Sequence, residues 1–315
     1  MKGTILSTLT TLAVAMIVTS IPNAAIGQAP AGHPGIQPRT FESAEAAAGA
    51  LIDAASKNDT GELTAILGST AQDILTSGNT NQDREERLEF SKLAAAKYLV
   101  EHSSIDSAAA VVLVGNDEWP FPIPLIRDGQ KWHFDPDLGA FELRARRIGE
   151  NELDTIEVCA GYVGAQEAYA TQALSAPGTH AYSQKIMGSS GGKDGLYRSG
   201  TAAGAFPPLV PEDFAMAEAI SGVHGRKPFH GYYFRILKQQ GPNAPGGAHK
   251  YIAGNAMIGG FGLIAWPAEY GTTGVHTFIV NQDGQIFEKD FGPRTTTLIP
   301  SIMWYDPDGS WAAVE

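Results

Sequence analysis

The stretch HTFIVNQDGQIFEK, residues 276–289, decides the fold class. Residues 276–280 and 285–289 carry the β-branched and aromatic side chains of strands, and Asn281, Gln282, Asp283 and Gly284 between them form a hairpin turn. A sheet begun by such a hairpin is antiparallel. Working outward, FHGYYFRILK (residues 229–238) reads as a further strand. Residues 255–266 read as an apolar strand loosened by Gly259 and Gly260. A Gly/Pro loop over 240–247 separates these two strands. A short helix near 298–303 and the turn Asp306-Pro-Asp-Gly309 close the chain. The last hundred residues are therefore expected to form an antiparallel β-meander.

Upstream the period changes. Ser43 caps a helix to about residue 57, in which Ala47, Ala50, Leu51 and Ala54 recur at helical spacing. Thr60 starts a second helix that ends near 67. Residues 82–101 read as a third, acidic at its start, with Leu88, Leu93, Ala96 and Leu99 as its buried stripe. Residues 109–114 form a strand. WPFPIPLI (residues 119–126) alternates apolar residues with prolines, which marks an edge strand, and residues 131–134 return after the turn at Arg127, Asp128 and Gly129. Residues 140–173 are helical again, with Gly149 as the candidate kink and Ile148, Leu153, Ile156, Cys159, Val163 and Ala170 inside. The class is α+β, with N-terminal helices and a small antiparallel sheet before the C-terminal meander. The expected domains are 41–176 and 227–315, joined by a Gly/Pro/Ser-rich junction over 177–226.

The first 27 residues read as an export signal. Lys2 precedes a charge-free run over 5–21, Pro22 breaks it, and Ala25-Ile26-Gly27 offers small residues for cleavage before Gln28. A Pro/Gly-rich tether over 28–40 follows. No later segment reaches the length of a membrane span, so an exported, periplasmic or extracellular chain is expected. Cys159 is the only cysteine, which excludes an internal disulfide. Lys plus Arg number 22 against 34 Asp plus Glu, a net charge of −12 that disfavours nucleic acid as a partner.

Several phrases together carry a resemblance: DEWPFPIPL (117–125), RIGENEL (147–153), KDGLY (193–197), HGYYF (230–234), AWPAEYG (265–271) and VNQDG (280–284). From residue 41 to the C-terminus the chain resembles the bacterial family catalogued as domain of unknown function 2950. That resemblance implies an envelope protein with a neighbouring exported protein as partner, and no mechanism. The N-terminal order of helices then sheet is similar to nuclear-transport-factor-2-like folds. The C-terminal meander is similar to pilin-like domains.

No catalytic motif is assembled in the sequence. Gly188-Ser-Ser190-Gly-Gly192 fits the letters of a nucleophile elbow, but the Lys-Asp-Gly that follows favours loop over helix. The histidines lack metal-ligand spacing, and no cofactor motif is present. The candidate ligand patch is aromatic and polar: His230, Tyr232 and Tyr233 on one strand, and Trp266, Glu269 and Tyr270 on another stretch. On the first strand His230, Tyr232 and Phe234 are expected to share a face, with Tyr233 and Arg235 on the other. The expected function is a non-catalytic binding or assembly module. The alternative is a hydrolase with a pocket at the junction of the halves.

Overall fold

The computed structural model describes residues 36–76, 80–172, 180–189, 194–198, 207–218 and 227–314. The segment read as an export signal, most of the expected tether, Ser190 and much of the expected junction lie outside the described residues. The chain divides into two compact units, residues 1–143 and 144–315. This division falls within the helix Pro136–Thr171.

In the first unit, α1 (Ala44–Ser56) starts where Ser43 Oγ accepts from the Ala46 amide at 3.1 Å. Its alanine-rich face buries Ala44, Ala47, Ala48, Leu51, Ala54 and Ala55. Helix α2 (Thr60–Leu67) is capped by Asp59, whose carboxylate accepts from the Glu62 amide at 2.9 Å. The one-turn α3 (Gln72–Leu75) and α4 (Thr80–Ala96) follow. The sheet has the order β1 (Tyr98–His102), β2 (Ala109–Val114), β4 (Leu125–Asp128), β5 (Lys131–Phe134), with β3 (Trp119–Pro120) also on β2. Leu51, Ile66, Val112, Val114, Leu125 and Phe134 lie in one core between helices and sheet.

Two expectations for this unit are corrected. The third helix stops at Ala96, and Tyr98–His102 is a strand paired antiparallel with β2, from Tyr98 opposite Val114 to His102 opposite Ala110. Tyr98, Leu99 and Val100 favour a strand, and the Lys97 carbonyl accepts from the Gly115 amide at 2.9 Å, which starts the pairing. The expected stripe on α4 is not buried either. Leu88 and Leu93 are exposed, and Ala94 and Asp83 are the buried positions. The prolines of 119–126 divide that segment into β3 and β4, although the Phe121 amide still donates to the Val112 carbonyl at 2.7 Å.

Helix α5 (Pro136–Thr171) runs unbroken through Gly149, and from Arg144 onward it belongs to the second unit. Thr155, Cys159, Tyr162, Gln166 and Tyr169 are its buried side, at alternating steps of four and three. Leu153, expected inside, is exposed because it falls off this stripe. The short α6 (Glu212–Met216) precedes β6 (Tyr232–Leu237), β7 (Gln239–Gln240), β8 (His249–Lys250), β9 (Ile252–Ala253), β10 (Ala256–Met257), β11 (Gly262–Pro267), β12 (His276–Asn281) and β13 (Phe287–Asp290). After α7 (Thr295–Leu298), β14 (Ala312–Ala313) completes the unit.

The main sheet has the order β14-β13-β12-β11-β6, and every pair in it is antiparallel. The meander read from the 276–289 hairpin is therefore present. The strand expected over 255–266 divides at Gly260, whose φ of +127° is a glycine conformation. Residues 256–257 pair with β9, and only 262–267 enter the main sheet.

Both faces of this sheet are covered. Phe234, Leu263, Ala265, Phe278 and Val280 pack with Cys159 and Tyr162 of α5. Leu237, Ile264, Trp266 and Ile279 pack with Ile299 and Tyr305 from the C-terminal segment. Double coverage is why β11 reads as an uninterrupted apolar run. Among the described residues no helix is long and apolar enough to cross a membrane.

Candidate functional site

One polar cluster forms where α5 meets the turns at the ends of β6, β11 and β12. The Asn151 amide donates to the Thr273 carbonyl at 2.8 Å. Glu152 Oε1 accepts from the amides of Val275 at 2.7 Å and His276 at 2.9 Å, and its Oε2 accepts from His276 Nδ1 at 3.1 Å. Asp154 pairs with His230 Nδ1 at 2.6 Å. A single turn of helix thus supplies three side chains that hold two loops. Burial lowers the affinity of His276 for a proton, but the bond to Glu152 and the charges of Glu152, Glu288 and Asp290 outweigh it and raise the pKa.

The predicted patch is only partly assembled there. His230 lies in the turn before β6, at φ +47°, and not on the strand. The shared face with Tyr232 and Phe234 therefore excludes it, while Tyr232 and Phe234 do share a face. Tyr232 is fully buried and its hydroxyl donates to the His276 carbonyl at 2.9 Å. Burial, then the Glu152 charge, pushes that phenol far above its ordinary pKa. A hydroxyl so engaged serves the fold and is not a poised nucleophile.

Tyr233 and Trp266 lie on the opposite face, with ring centroids 6.2 Å apart. Arg235 stands beside them, 5.7 Å from the Trp266 ring. Glu269 is exposed, and its backbone shapes the turn through Thr273. Tyr270 donates to Asp290 at 3.3 Å. The structure therefore spreads the six residues over two faces and two turns. Among the described residues no group of three His, Cys, Asp or Glu side chains is placed to hold a metal ion.

A second feature on the Trp266 face is more open. A cleft of about 370 Å³ is lined by the aromatic residues Phe291, Trp304 and Trp311 together with Lys289, Ser301, Ile302, Met303 and Asp306. Strand alternation puts Lys289 on the same side of β13 as Phe287, which packs with that core. Its ammonium lies 4.8 Å from the Phe291 ring centre and 5.7 Å from that of Trp311, and donates to Ser310 Oγ at 2.6 Å.

The rear wall is anchored from the sheet. Arg235 donates to the carbonyls of Ile299 at 3.0 Å and Ile302 at 2.6 Å, and the Tyr305 amide donates to the Gln239 carbonyl at 3.0 Å. Asp306 accepts from the Asn243 amide at 2.8 Å and from its side chain at 3.1 Å. On these fixed supports Trp304 remains 47% exposed and Met303 55%.

A sequence model of a protein family of unknown function, DUF2950, matches residues 38–314. The chain belongs to this family. No curated protein and no solved structure matches it. Three of the phrases that carried the DUF2950 resemblance meet at the polar cluster. Asn151 and Glu152 of RIGENEL hold the turn after AWPAEYG, and the Ala268 amide donates to the carbonyl of Gly231 in HGYYF at 2.9 Å.

The cleft residues of this DUF2950 chain were missed by sequence reading. The available signal was density: two of the five tryptophans fall within residues 304–311. They flank a turn, and turn chemistry alone accounts for that stretch until its neighbours in space are known.

Proposed function

We propose that this chain is an exported, non-catalytic binding module of the bacterial cell envelope, and that it binds through the cleft of Phe291, Trp304 and Trp311. One observation carries the reading. Trp304 and Met303 stay open to solvent, with Phe291 and Trp311 half-buried beside them, on a backbone that Arg235, Tyr305 and Asp306 fix in place. Exposed indoles on a rigid support are the usual anchors of recognition, since little side-chain freedom is lost on binding. The polar cluster on α5 contrasts with this, because its carboxylates already accept bonds from the turns they hold. The apolar run near the N-terminus supports export, and the predicted cleavage before Gln28 would release the chain to the periplasm.

The test is co-sedimentation of the full chain with the insoluble envelope fraction of the cells that make it. Trp304→Ala should weaken retention by about tenfold or more, the loss of one aromatic anchor. Its circular dichroism and melting temperature should stay near those of the parent, because Trp304 is half exposed. Retention of the Trp304→Ala and Trp311→Ala variants equal to the parent chain would refute the reading.

A further inference from the structure

We infer that the cleft takes a neutral glycan, an inference that rests on the cleft being the binding surface. The lining sets three conditions on a ligand. Trp304, the exposed ring of the lining, calls for an apolar face that lies flat against it. A cation is disfavoured because the chain's own Lys289 ammonium already occupies the place against the Phe291 and Trp311 rings. An anion is disfavoured because Lys289 is already engaged with Ser310 Oγ and the two rings, while Asp306 in the lining, Asp308 in the adjoining turn and the net charge of −12 repel it.

What remains is an uncharged ligand with an apolar face and hydrogen-bonding edges. A pyranose has both, with C–H bonds across its faces and hydroxyls around its rim. The edges of the cleft match that rim. An Asp carboxylate offers about four acceptor positions, and three are taken by Asn243, two of them on Oδ1 and one on Oδ2. The Oδ2 oxygen keeps room for one O–H donor. Ser301, also in the lining, donates its O–H to the Leu298 carbonyl at 2.7 Å and keeps its oxygen as an acceptor.

A proline-rich peptide also presents a neutral apolar face to aromatic grooves. Each proline, however, lacks an N–H, so such a segment offers the Asp306 acceptor fewer donors than the hydroxyl rim of a sugar does. A sugar hydroxyl satisfies both the ring and the carboxylate, so the glycan is the occupant the lining favours.

The probe is the polysaccharide fraction of the same envelope, freed of protein by exhaustive proteinase digestion, compared with undigested envelope. The parent chain should be retained on both within about twofold. Trp304→Ala should lose about tenfold on both, and Trp304→Phe, which keeps a ring, should lose less. A tenfold excess of the peptide QAPAGHPGIQPR should displace nothing.

Retention that vanishes on digestion, with Trp304→Ala still defective on undigested material, would overturn the glycan and leave the cleft as a binding surface. Displacement by the proline-rich peptide would do the same. Equal retention of parent and Trp304→Ala on both materials, or no retention of either, would overturn the cleft reading and the glycan with it.

Discussion

At the scale of single residues, the polar cluster ties stability to Gly274 and to the charge on His276. Gly274 presses against the Tyr232 hydroxyl, and a Cβ there would collide with the buried phenol ring. Gly274→Ala should cost about 1–3 kcal/mol, the range of overpacked cores, measured as a shift in urea midpoint at unchanged slope. A neutral result would mean that the turn at 269–274 yields without loss. His276 sets the pH dependence. Its pKa is raised in the folded chain, so protonation favours folding. That contribution is complete below about 6.5, the unfolded value, and fades as pH rises through the higher folded value. His276→Gln should therefore lose more stability at pH 5.5 than at pH 8.5. Equal losses at the two pH values would show that the ring acts by packing alone.

At the scale of elements, one buried amide ties α5 to the extended segment at Ser183. Gln166 Nε2 donates to Tyr162 Oη at 2.8 Å and to the Ser183 carbonyl at 2.9 Å, while its Oε1 accepts from the Ser183 amide at 2.8 Å. Gln166→Leu leaves both backbone groups of Ser183 without these bonds, at about 1–3 kcal/mol for each unmet buried group. The expected result is a melt lowered by several degrees, with amide exchange at Ser183 accelerated beyond the global effect. Wild-type exchange at Ser183 would place its amide partner elsewhere. The sequence made α5 itself legible, because a long apolar period needs no partner to be seen. It hid Gln166, since a polar residue on an apolar stripe gains meaning only from the strand or loop opposite. The same limit explains β1, where Leu99 fits a helical stripe as well as a strand until β2 is in place. It also explains the site: His230 and Tyr232 are two residues apart in sequence, yet φ +47° at His230 and burial of Tyr232 separate their roles.

At the scale of the whole molecule, the question is how many folding units the cores define. The first core draws on residues 44–134 only, with Leu51, Ile66, Val112 and Phe134 at its centre. The cores on the two faces of the second sheet draw on residues 159 onward. Each of these clusters takes its buried residues from one unit alone, so each fragment cut at 143/144 should keep its core. Fragments 36–143 and 144–315 should then each unfold cooperatively, with calorimetric and van't Hoff enthalpies in agreement. Cys159 gives an independent readout. It is fully buried, and burial alone pushes its thiol up to about 12. In a folded 144–315 fragment the thiol should resist a water-soluble disulfide reagent at pH 8 and react at once in urea. Immediate reaction in buffer, together with dye binding and a lost near-ultraviolet spectrum, would mark a loosened core. The first unit would then be required for the second to fold, and the boundary at 143/144 would separate contacts without separating stability.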